Sequence, residues 1–214
     1  MDWAKTIHKE GQRSAVLRTN ELAQKYGVVQ VAVTQALSRQ EHRGLVERVG
    51  EKIYFNHLAP DSSPRDLVNV LRKDAYISLE SALREYGIST QSPRVLTCVT
   101  TERSRELRTK TISINYRNVS PHLYWGYIRK PTRYGSYLIA EPEKAILDWL
   151  YLSLQDGIIP DLDEFDFSHL DRGKLLDFAQ KFPSTVSTHL LPVLAMGGGR
   201  NNAARSLAAA QGNQ

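Results

Sequence analysis

Apolar positions along this chain change period several times, and each change marks an element. Trp3, Ala4 and Ile7 fall on one face of a helix over residues 2–12. The short apolar run Val16-Leu17 leads to Thr19, an expected N-cap for a helix over residues 20–26 that turns Leu22 and Ala23 inward. Gly27 supplies a tight turn, and Val28 plugs the space beside it. A second helix is predicted over about residues 29–43, with Val33, Ala36 and Leu37 on one face. Gly44 ends it. Residues 46–49 and 52–55 read as two strands around Gly50-Glu51, with Gly50 suited to the first position of a type II′ turn.

Residues 58–65 have linker composition, with two prolines and two serines. Beyond them the pattern is mixed. Residues 65–73 and 79–86 read as helices, the second capped by Ser78 and ended by Gly87. The β-branched run at 95–101 reads as a strand, as do residues 112–116, 124–128 and 136–139. Pro142 stands where the first position of a helix is expected, and residues 143–154 continue it with apolar residues on most sides, so that helix is buried. A last helix is predicted over about residues 171–181. The tail after Gly197-Gly198-Gly199, rich in Ala, Asn and Gln, is expected to be loosely ordered. The class is α+β. Residues 1–60 form one domain, 61–196 a mixed α/β domain, and 197–214 a flexible tail.

Residues 14–57 have the order of a winged helix-turn-helix: helix, tight turn, helix, hairpin. The outward face of the second helix carries Gln30, Thr34, Gln35, Ser38 and Arg39, with Arg43 at its end. Amides can bridge adenine edges, and hydroxyls and arginine suit phosphate or guanine, so this set fits a recognition helix in a major groove. Thr19 at the start of the first helix, with Arg48 and Lys52 on the hairpin, is placed for backbone contacts. Two features argue for a bland reading. Winged helices also bind proteins, and Glu41, Glu47 and Glu51 would oppose a phosphate backbone if they faced it.

Charge sharpens the picture. The net charge is +5, distributed as +3 over residues 1–60, +6 over 61–140 and −4 over 141–214. Two basic thirds suit an anionic partner, with double-stranded DNA foremost. Arg103, Arg105, Arg108 and Lys110 form a candidate second nucleic-acid surface. Phosphate contacts dominate affinity, so one copy with a single recognition arginine would bind weakly, and a homodimer on two half-sites would bind better.

The order of motifs resembles the AbiEi-type antitoxins of type IV toxin–antitoxin systems. The segments that carry it are residues 74–88, a helix leading to a Gly; Arg94-Val-Leu-Thr-Cys-Val-Thr-Thr101, its strand; Tyr124-Trp-Gly-Tyr127, an aromatic-Gly element; and Ile139-Ala-Glu-Pro-Glu-Lys-Ala-Ile-Leu-Asp148, the start of a helix. With the N-terminal unit they cover roughly residues 14–155. The resemblance implies an antitoxin that represses its own operon by binding inverted repeats with the winged helix. It also implies opposition, direct or indirect, to a nucleotidyltransferase-type toxin, with antitoxicity in the C-terminal domain. The hairpin tip Gly50-Glu51-Lys52 is less basic than that family would lead one to expect. The alternatives are a winged-helix regulator unrelated to a toxin and a metal-dependent nuclease.

The nuclease reading rests on Glu141, Glu143, Lys144 and Asp148, but Pro142 occupies the position that would pair with Lys144, and Glu143 suits the positive end of a helix. The acidic run Asp161, Asp163, Glu164 and Asp166 lacks the glycine and spacing of a calcium loop. Six scattered histidines show no metal spacing, and the single cysteine, Cys98, reads as core. No cofactor motif is present. The sequence therefore points to a non-enzymatic protein without cofactor or metal. Neither a secretory leader nor a membrane span is expected, and a reducing, cytoplasmic setting is expected.

Overall fold

The computed structural model describes residues 1–90, 93–158 and 165–196. The tail 197–214 and the acidic residues Asp161, Asp163 and Glu164 lie outside them. The fold is α+β, and no helix among the described residues is long and apolar enough to cross a membrane.

The chain opens with helix α1 (Trp3–Gly11), whose N-terminal amides at Ala4 and Lys5 donate to the Asp2 carboxylate. Strand β1 (Val16–Arg18) follows, then α2 (Thr19–Tyr26) and α3 (Gln30–His42). Gly27 joins the two helices at φ +64°, in the left-handed region that glycine reaches at low cost. Strands β2 (Val46–Gly50) and β3 (Ile53–Asn56) complete an antiparallel sheet in the order β1-β3-β2. Ile7, Leu17, Leu22, Val33, Leu37, Val46 and Tyr54 form its core, with Trp3 and Val28 packed against it. Glu10 ties α1 to α2: its carboxylate accepts from Lys25 Nζ at 2.7 Å and from the Tyr26 hydroxyl.

Helix α4 (Arg65–Leu71) leads to the second sheet. Its strands are β4 (Tyr76–Ile77), β5 (Leu96–Thr100), β6 (Arg105–Arg108), β7 (Ser113–Asn118), β8 (Tyr127–Thr132) and β9 (Gly135–Ala140), in the order β6-β7-β5-β4-β9-β8. β5 runs parallel to β7, β4 parallel to β9, and β6 antiparallel to β7. The remaining helices are α5 (Leu79–Glu85), α6 (Pro142–Gln155), α7 (Arg172–Ala179) and α8 (Ser184–Met196).

Contacts group the described chain into two units drawn differently from the sequence's 1–60 and 61–196. The first holds residues 1–76, 94–118 and 129–138. The second holds 77–93, 119–128 and the chain from 139 onward. Residues 58–65 are a packed segment of the first unit instead of a free linker. Ala59 is buried, the Pro60 carbonyl accepts from the Tyr134 hydroxyl at 2.6 Å, and Asp61 pairs with Arg133 at 3.2 Å.

Four local expectations are corrected. Thr19 is the first helical residue of α2, not its cap; Arg18 stands at the cap and no side chain bonds there. Ser78 precedes α5 without capping it, because its hydroxyl donates to Asp148 Oδ2 at 2.8 Å. The β2–β3 loop is Glu51-Lys52, and its left-handed residue is Lys52 at φ +59°, while Gly50 belongs to β2 and follows a bulge. The strand expected at 124–128 begins later, at Tyr127, after a single 3-10 turn at Pro121–Leu123.

Candidate nucleic-acid interface

Helix α3 is amphipathic as its spacing requires. Val33, Ala36 and Leu37 are fully buried, and Gln40 is buried beside them. Thr34, Gln35 and Arg39 are exposed on the other side, while Gln30 and Ser38 are half-buried. Gln30 is partly committed: its Nε2 donates to Thr19 Oγ1 at 2.8 Å. Thr19 itself is 0% exposed, so it cannot touch a ligand on this face and instead holds Gln30 from beneath. Arg43 is exposed beyond the helix end and donates to Gln40 Oε1 at 3.1 Å. Sequence reasoning passed over Val29 and Val31, which are 73% and 66% exposed. Val31 lies one turn before Gln35, so the face carries apolar surface as well as amides. For Val31 the signal was available, because it does not fit the period of the buried face; Val29, four residues before Val33, does fit it and is exposed because it stands at the N-cap, before the helix begins.

The β2–β3 hairpin carries Arg48 and Lys52, both exposed. The carboxylates that seemed to oppose an anionic partner are largely occupied. Glu41 Oε1 accepts from the Arg48 backbone amide at 2.8 Å. Glu47 is 6% exposed and accepts from the Thr111 amide at 3.0 Å and from the Thr111 hydroxyl, with His57 Nε2 at 3.3 Å. Burial alone would raise the Glu47 carboxyl, but the hydrogen bonds from Thr111 outweigh it and hold the group below its ordinary value. Only Glu51 stands out in solvent, 3.7 Å from Lys52.

Arg103, Arg105, Arg108 and Lys110 are all exposed. They flank or lie on β6, and Thr111, which Glu47 holds, ends the turn that follows. The β6–β7 turn and the β2–β3 hairpin belong to one unit. Between them lies a groove of about 520 Å³. Arg48, His57, Arg108 and Lys110 line it together with Glu41 and Glu47. It therefore has a cationic rim over carboxylates that already have partners.

The cluster at the start of α6 is divided by the helix. Glu143 Oε1 accepts from the Asp171 amide at 2.9 Å, and Lys174 bonds Glu141 and lies 3.3 Å from Glu143 Oε2. Lys144 and Asp148 are fully buried and pair with each other, with Ser78 on the second Asp148 oxygen. Burial pulls the Lys144 ammonium down from its ordinary value, and Asp148 acts in the opposite sense. The four residues do not converge on one point. No group of three or more His, Cys, Asp or Glu able to hold a metal occurs among the described residues. Cys98 is 0% exposed and burial pushes its thiol up, so it is a core residue. Asp166 accepts from the Ser168 amide at 3.0 Å.

Two of the sequence motifs meet in the second unit. The Glu141 amide donates to the Gly126 carbonyl at 2.9 Å. Gly126 sits at φ +72°, and a Cβ there would lie 3.1 Å from Lys144 Cγ. The aromatic-Gly element thus packs directly on the helix that starts at Pro142. No model of a known protein family matches the chain, and comparison with curated proteins finds no match.

Proposed function

We propose that residues 1–60 are a winged helix-turn-helix and that the protein is a non-enzymatic, DNA-binding transcriptional repressor. The observation that carries this is the exposed polar face of α3, with Thr34, Gln35 and Arg39 turned outward while Val33, Ala36 and Leu37 close the core behind them. The sheet order β1-β3-β2 and the α2–Gly27–α3 turn support it. In this reading Gln30, Thr34, Gln35, Ser38 and Arg39 read base edges, and Arg43, Arg48 and Lys52 hold phosphate. Arg103, Arg105, Arg108 and Lys110 extend the backbone contacts. Thr19 is left out of the contact set because it is buried.

The resemblance to AbiEi-type antitoxins extends the proposal. The protein represses a toxin–antitoxin operon at inverted repeats, as a homodimer, and opposes a nucleotidyltransferase-type toxin from the cytoplasm. An adjacent gene for a nucleotidyltransferase-like toxin would favour this over a regulator unrelated to a toxin. The nuclease alternative loses its support, since Glu143 and Lys144 serve different partners.

Fluorescence anisotropy tests the reading, with duplex from the gene's own upstream region against a scrambled duplex at two salt concentrations. Tight, sequence-dependent binding is expected. Weak binding that ignores sequence and vanishes with salt would make the N-terminal unit a protein-interaction module instead.

A further inference from the structure

A second crease in the first unit has a different character from the cationic groove. It encloses about 360 Å³, within the range of small-molecule sites. Its walls come from three elements distant in sequence: Val49 and Ile53 of the β2–β3 hairpin, Leu71 of α4, and Leu107 of β6. Ile53, Leu71 and Leu107 are only half-buried, so apolar wall meets solvent there. Two guanidiniums also line it, those of Arg72 and Arg105.

The arginines differ in state. Arg105 is exposed. The Arg72 side chain is 16% exposed; its Nη1 pairs with Glu102 and its Nη2 donates to the Arg103 carbonyl at 3.4 Å. Its Nε is shielded from solvent and has no hydrogen-bond partner. Buried donors without a partner are uncommon in folded proteins. Glu51 also lines the crease, but it is 83% exposed at the hairpin tip, 3.7 Å from Lys52. Apolar walls with two guanidiniums match a ligand that has an apolar body and an anionic group.

We propose that this crease is a binding site for a small organic anion, with the apolar body against Ile53, Leu71 and Leu107 and the anionic group on the exposed Arg105 guanidinium beside Arg72. The site is distinct from the α3 face but shares Arg105 with the backbone contacts proposed above, so it is tested in the absence of DNA.

Fluorescence titration of the full chain with anilinonaphthalene sulfonate tests it. One saturable site is expected. The uncharged ring analogue N-phenylnaphthylamine should bind at least about tenfold more weakly, the worth of one charge-assisted hydrogen bond. Arg105→Ala should weaken the sulfonate by about tenfold. Leu107→Trp, which fills the crease, should abolish binding. Circular dichroism and melting temperature of each variant separate a folding defect from a lost site, and the exposed position of Arg105 makes that variant safe on its own. Equal binding of the two probes, or a titration unchanged in folded Arg105→Ala, overturns the proposal.

Discussion

Glu10, Glu47 and Asp74 behave alike at the residue scale. Burial would raise each carboxyl, yet each is held below its ordinary value by donors: Lys25 and Tyr26 for Glu10, Thr111 for Glu47, Thr100 and Thr101 for Asp74. A carboxyl depressed in the folded state adds stability that is fully present above its unfolded value. That stability is lost as pH falls through the folded value. The melting temperature is therefore expected to fall as pH drops from about 5 to about 3, and Glu47→Gln should lower it at neutral pH while flattening that acid decline. Differential scanning fluorimetry across the window checks it, and a parallel decline in the variant would show that Glu47 contributes none of the slope. Trp149 is a simpler case. It is 7% exposed, its Nε1 donates to Glu80 Oε1 at 3.1 Å, and its ring lies 4.6 Å from that of Phe165. Trp149→Ala should cost about 3–5 kcal/mol in urea denaturation. A midpoint equal to that of the wild type would contradict its place in the core.

Helix α3 shows at the element scale what a sequence reveals. Its buried positions follow the helical period, so the face opposite them could be named residue by residue. Gln35→Ala with Arg39→Ala should abolish preference for the upstream duplex while leaving the circular dichroism spectrum unchanged, because both side chains are exposed. Unaltered affinity in a gel-shift titration would remove this face from the interface. What escaped the sequence escaped for physical reasons. β6 reads Arg-Glu-Leu-Arg with only Leu107 apolar, because an edge strand exposed on one face needs little hydrophobic alternation. β4 is two residues long and carries no period at all. Ser78 has the right identity for a cap, but the buried Lys144–Asp148 pair, 70 residues away in the case of Asp148, takes its hydroxyl. Thr19 likewise looked like a cap and a contact, and becomes a buried support for Gln30. Local propensity names the candidates; long-range partners decide their roles.

Charge and connectivity act together at the scale of the whole molecule. The two basic thirds of the sequence supply all of the first unit, which gathers the β2–β3 hairpin and the β6–β7 turn although some 60 residues separate them. Glu47 makes that link, spending its negative charge on Thr111 and leaving Arg48, Arg108 and Lys110 around the groove. If those cations contact phosphate, their loss must be blind to base sequence. Arg108→Ala with Lys110→Ala is expected to weaken the upstream and scrambled duplexes by the same factor. The slope of log affinity against log salt should become shallower by about 1 for each contact removed. The α3 double variant should do the opposite: it should erase the difference between the duplexes, and the slope should move only as far as Arg39 itself touches phosphate. Measuring both variants over one salt series separates base reading from backbone grip. A slope unchanged in the Arg108 and Lys110 variant would confine the DNA surface to α3 and the β2–β3 hairpin.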